Sequence, residues 1–96
     1  MDTAPKLVFR VHAIAAMFER HISESDVQHI LLTGKTIEGY PDDKPYPSRL
    51  VLGWRGARPL HVVVADNERD RESIIVTVYE PDPDRWETGF ARRRSR

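Results

Sequence analysis

RPLHVVVA, Arg58 to Ala65, decides how the chain is read, because three consecutive valines between a proline and the polar pair Asp66-Asn67 mark a strand buried within a sheet. Period-two alternation puts Leu60, Val62 and Val64 on one face and His61 with Val63 on the other. His61 therefore interrupts an apolar run at a position where leucine would pack without needing a hydrogen-bond partner.

The segments around it repeat the strand signature. Arg49–Trp54 (RLVLGW) and Ser73–Tyr79 (SIIVTVY) are β-branched strands separated from Leu60–Ala65 by the short links RGARP and DNERDRE, which favour antiparallel neighbours. In SIIVTVY alternation predicts Ile74, Val76 and Val78 on one face and Ile75, Thr77 and Tyr79 on the other. If the all-apolar faces meet helices, His61, Thr77 and Tyr79 share the opposite face. Lys35–Tyr40 (KTIEGY) reads as a further strand, followed by the stiff loop PDDKPYPS, whose three prolines turn each preceding residue away from helix.

Helices precede this sheet. Ser23 and Asp26 have capping-box spacing, Ile22 and Val27 the spacing of a hydrophobic staple, and Val27, Ile30 and Leu31 form an i, i+3, i+4 stripe that Gly34 ends. His12–Arg20 (HAIAAMFER) is rich in helix formers, with Ala13, Ala16 and Met17 along one side. Lys6–Val11 (KLVFRV) alternates as a short strand. The expected fold is α+β: a short N-terminal strand, two helices, then an antiparallel sheet of three to four strands with the helices on one face.

Composition bounds the rest. Ninety-six residues, 40% hydrophobic and 31% charged, suit a single domain over 1–96, since a chain of this size buries about 60–65% of its unfolded surface. Fifteen Lys and Arg balance fifteen Asp and Glu, so a polyanion would have to be met by a local patch rather than by bulk charge. The absence of cysteine removes disulfides and thiolate metal cages, and no apolar run approaches a membrane span or a signal-peptide core, which points to the cytoplasm. The four histidines lack metal-ligand spacing, and no P-loop, nucleophile elbow or cofactor motif occurs, so neither a metal nor a cofactor is expected.

His61 and Tyr79 on one sheet face, with Arg49, Arg55 and Arg58 on or beside the same strands, would suit a phosphodiester, because guanidinium groups bind phosphate oxygens in pairs. The plainer alternative makes His61 and Tyr79 half-buried residues bonded to backbone and the arginines solvated ion-pair partners. His12, at the start of the first helix, can act as a general base while neutral. Trp86 and Phe90 anchor the tail, whose basic end at about residues 91–96 (Arg92, Arg93, Arg94 and Arg96) is expected to fray.

The run HAxxxMxERxIS over His12–Ser23, with IEGYPDDKPYPSRLVLG, PLHVVVA and TVYEPDPDRW, resembles the small bacterial family catalogued as domain of unknown function 4258. Such proteins look like distant relatives of the RelE and MqsR toxins, the endoribonucleases of type II toxin–antitoxin modules. The resemblance implies a RelE-like fold and metal-independent attack of the RNA 2′-hydroxyl on its phosphate. It also implies catalytic roles for His61, Tyr79, His12 and Arg20, and substrate contacts from Arg49, Arg55, Arg58 and Tyr40. The implied partners are RNA and a cognate antitoxin of zinc-finger, helix-turn-helix type, with no DNA bound by the chain alone. Ala15 and Ala16 stand where the family usually carries arginine, so a weakened or inactive ribonuclease is one expectation. The other is a non-catalytic protein-binding module that uses the open sheet face or an edge.

Overall fold

In a computed structural model, which describes residues 4–95, the chain forms β1 (Lys6–Phe9), α1 (Val11–Arg20), α2 (Glu24–Thr33), β2 (Lys35–Tyr40), β3 (Ser48–Arg55), β4 (Arg58–Asn67) and β5 (Glu72–Tyr79). The strands make one sheet in the order β1-β5-β4-β3-β2. The α+β class and the element order agree with the sequence reading. The sheet is larger than expected and mixed, because β1 pairs with β5 in parallel, Lys6 opposite Glu72 and Phe9 opposite Ile75. β1 also stops at Phe9, and Val11 already belongs to the helix.

β4 is the central strand that its valines predict, flanked on both sides by antiparallel partners. Leu60, Val62 and Val64 face the helices and pack with Val51, Ile75, Val78, Ala13, Met17, Val27 and Ile30. β5 departs from simple alternation. Its pairing with β4 shifts between Val63 and Val64, which face Thr77 and Ile75, so Val76 is an extra, bulged residue. A bulge reverses the side-chain phase. Ile75, expected beside Tyr79, therefore joins Val78 in the helix-side core, while Ile74 lies opposite Ala65 on the far face.

The helices close as their caps dictate. Ser23 Oγ accepts from the Asp26 amide at 3.0 Å, and Asp26 Oδ2 accepts from the Ser23 amide at 2.9 Å, which satisfies two otherwise orphaned donors. Gly34 caps α2 in extended rather than left-handed conformation, φ −81°. Its glycine is required by proximity: a Cβ would sit 2.5 Å from the Leu52 carbonyl oxygen and 2.6 Å from that of Ile30. Both neighbours are backbone and cannot swing away. Gly34→Ala is thus expected to destabilise the fold by about 2 kcal/mol, as overpacking does, and a urea midpoint equal to that of the parent protein would refute the close approach.

Residues 81–95 do not fray. They cross the sheet face opposite the helices as a strap: Trp86 is 3% exposed and bridges to Arg93, Arg94 N–H donates to the Arg85 carbonyl at 2.8 Å, and Arg94 Nε donates to the Pro83 carbonyl at 2.7 Å. Gly89 and Phe90 turn the strap with positive φ, 91° and 63°. Arg96 lies outside the described residues. The domain thus has three layers, helices, sheet and strap.

Candidate functional site on the strap side of the sheet

β4 and β5 set His61 directly opposite Tyr79, and the strap closes over them. The imidazole is 0% exposed. Its Nε2 lies 2.8 Å from the Phe90 carbonyl oxygen, which can only accept, so Nε2 carries the proton and Nδ1 accepts from the Tyr79 hydroxyl at 3.2 Å. Trp86 meets the ring edge-on at 4.4 Å between centroids and Tyr79 does so at 5.2 Å. Burial holds His61 below its ordinary value of 6.5, only partly opposed by the bond to Phe90, and it holds the Tyr79 phenol above 10. Both are neutral at physiological pH. His61 needs a partner on each nitrogen because it is buried, and Tyr79 together with the strap provides both.

A more accessible group adjoins this pair. The register shift in β2 between Thr36 and Glu38 turns Glu38 toward the strap, opposite Leu50. Arg93 reaches back from the strap, its Nε 3.0 Å from Glu38 Oε2 and its Nη2 3.2 Å from Oε1, with its guanidinium 4.6 Å over Trp86. The Tyr40 hydroxyl donates to the same Glu38 carboxylate. Arg93 is the main cause that holds Glu38 below the usual carboxylate value, and burial with Glu38 beside it raises Tyr40. The side chains of Glu38 and Arg93 remain 26% and 60% exposed. A carboxylate that stays ionised, a phenol that stays protonated and a guanidinium therefore meet at the surface, backed by the buried His61–Tyr79 pair.

Three of the residues singled out in the sequence, Tyr40, His61 and Tyr79, come together here. The others do not. His12 and Arg20 belong to α1 on the helix side, where Arg20 Nη1 lies 3.4 Å from the Val78 carbonyl. Arg49 pairs with Asp66 at 2.8 Å, Arg55 with Asp26 at 2.9 Å, and Arg58 with Glu80 at 2.9 Å while also donating to the carbonyls of Arg20 and His21. These arginines hold helices and strands together. Glu38 and Arg93 were missed as site residues, since only the strap's path brings a residue 55 positions away onto β2.

Among the described residues no three His, Asp or Glu side chains gather as a metal site would require, and no helix is long and apolar enough to cross a membrane. A family model described as a domain of unknown function (DUF4258) matches residues 9–80. No curated protein and no solved structure matches the chain significantly.

Proposed function

The chain belongs to the family of domain of unknown function 4258, and from that premise we propose that it is a metal-independent endoribonuclease of the toxin type, acting at Glu38, Arg93 and Tyr40. One observation carries the reading: an ionised carboxylate, a guanidinium and a protonated phenol converge on one sheet face at hydrogen-bond distance. RNA supplies its own nucleophile. Glu38 takes the proton of the 2′-hydroxyl as that oxygen attacks phosphorus, and Arg93 neutralises the charge gathering on the phosphate oxygens. The P–O5′ bond breaks and the departing oxygen takes a proton from Tyr40, leaving a 2′,3′-cyclic phosphate and a 5′-hydroxyl. His61 supports this site from behind by anchoring the strap that carries Arg93. Its burial argues against direct contact with substrate.

The test is incubation of the purified protein with single-stranded RNA in EDTA, followed by end-group analysis. Cyclic phosphate ends are expected, and Arg93→Ala should slow cleavage roughly 100-fold, the magnitude of one lost transition-state donor. RNA left intact both with and without ribosomes would defeat the proposal.

A protein-binding role has its own observation, on the helix side rather than on the sheet face, where the strap covers His61. Val11, Ile14 and Phe18 form a stripe along α1 that is 80%, 54% and 84% exposed. Such a stripe suits a protein partner, which for a toxin would be its antitoxin.

A further inference from the structure

β3 outruns β2. Lys35 opposite Leu52 is their last pair, so Gly53, Trp54 and Arg55 have no strand neighbour on that side. Beside this free edge lies a groove of about 250 Å³ lined by Thr33, Gly34, Lys35, Leu52, Gly53 and Trp54. It is too small for a drug-sized ligand, which leaves it to a smaller group such as a single ring. Its two glycines bring the walls close: Gly34 through the carbonyl contacts above, and Gly53 because a Cβ there would lie 2.8 Å from Ile30 Cδ1 and force that side chain to shift.

The walls have definite chemistry. Trp54 is 42% exposed, among the few large apolar side chains that the fold leaves in solvent, and it is steadied by Phe90 of the strap at 6.0 Å between ring centroids. Lys35 is exposed and, among the described residues, has no carboxylate partner, unlike Arg49, Arg55, Arg58 and Arg93. The groove also has an address. Lys35, Leu52 and His61 stand in one row across β2, β3 and β4, and the bulge in β2 leaves Glu38 opposite Leu50, two ladder steps from Lys35, roughly 7 Å of strand. A single strand of RNA whose phosphate lay at Glu38 and Arg93 could follow β2 to Lys35 and reach the groove with a neighbouring base.

We propose that the Trp54–Lys35 groove is a nucleobase subsite, in which an unpaired base of single-stranded RNA stacks on the Trp54 indole while Lys35 holds the adjoining phosphate. Stacking of this kind is tolerant of base identity and strong enough to matter, because every base presents a π face. The subsite rests on the ribonuclease reading for its substrate class and not for its chemistry.

The deciding experiment measures binding with turnover prevented. A fluorescently labelled single-stranded RNA is titrated, by anisotropy, into Glu38→Gln protein and into the same protein carrying Trp54→Ala, Trp54→Phe or Lys35→Ala, each checked for folding by circular dichroism. Trp54→Ala should weaken binding about tenfold or more, and Trp54→Phe should keep most of the affinity. Lys35→Ala should reduce the slope of log affinity against log salt by about one. Equal affinity of Trp54→Ala and its parent, or no RNA binding by the parent, overturns the subsite. The two readings separate cleanly. Cleavage by the wild type with no Trp54 effect removes the subsite and keeps the ribonuclease, while Trp54-dependent binding without any cleavage keeps the subsite and removes the ribonuclease.

Discussion

Glu38→Gln is expected to lower RNA cleavage by about 10³-fold, within the range that a positioned general base contributes, while leaving the protein folded. Glutamine keeps an oxygen to accept from Tyr40 and Arg93 but cannot take the proton of a 2′-hydroxyl. Arg93 chiefly, and Tyr40 as well, favour the charged form of the carboxylate, so it stands ionised and able to accept a proton, at the cost of some basicity. Because the Glu38–Arg93 pair is partly solvent-exposed, its loss should change stability little. The measurement is single-turnover cleavage of a defined RNA in EDTA beside a urea titration of both proteins. A variant cleaving within tenfold of the wild type would remove Glu38 from the chemistry, whatever the fate of the other residues.

His61→Ala should act differently, on the fold first and on the site through it. The substitution leaves a void between Trp86 and Tyr79 and strands the Tyr79 hydroxyl and the Phe90 carbonyl, for a combined cost of about 3 kcal/mol. Urea unfolding followed by tryptophan fluorescence reports both the global loss and any separate release of the strap, because Trp86 is buried against His61. A loss below about 1 kcal/mol would mean that the strap does not depend on the imidazole.

The same residue sets a pH dependence. His61 is held below its unfolded value of 6.5, so its contribution is complete above that value. As pH falls through 6.5 toward the depressed folded value, the unfolded chain binds a proton that the folded one refuses, and stability declines. The charged groups nearest the imidazole are Glu38 on β2, which favours its protonation, and Arg93 on the strap, which opposes it. His61→Ala should flatten the dependence between pH 7.5 and 5.5, and an unchanged slope would place its origin elsewhere.

His61 shows how the sequence and the tertiary structure divide the information. A histidine within a run of valines announces a buried imidazole on one sheet face, and alternation along β4 names that face correctly. Alternation along β5 fails halfway, because the bulge at Val76 changes phase, and no local signal in SIIVTVY distinguishes a bulged valine from a paired one. The arginines give the opposite lesson. Arg49, Arg55 and Arg58 look placed for one sheet face until their ion pairs with Asp66, Asp26 and Glu80 are seen to lie away from His61, whereas Arg93, hidden in a tail that reads as frayed, makes its ion pair with Glu38 beside the buried His61–Tyr79 pair.

By itself the sequence determined whatever depends on neighbours along the chain: the Ser23 cap, the central strand Leu60–Ala65, the α+β order and the family. Only the tertiary structure decided the parallel docking of β1 on β5, the strap's path over His61, and the meeting of Glu38 with Arg93. Those pairings join segments tens of residues apart, and many partners share similar local propensities. What selects among them is burial on assembled faces, of Leu7 and Phe9 against the helix-side core for β1 and of Trp86 and His61 under one layer for the strap, an energy that belongs to no single stretch of sequence.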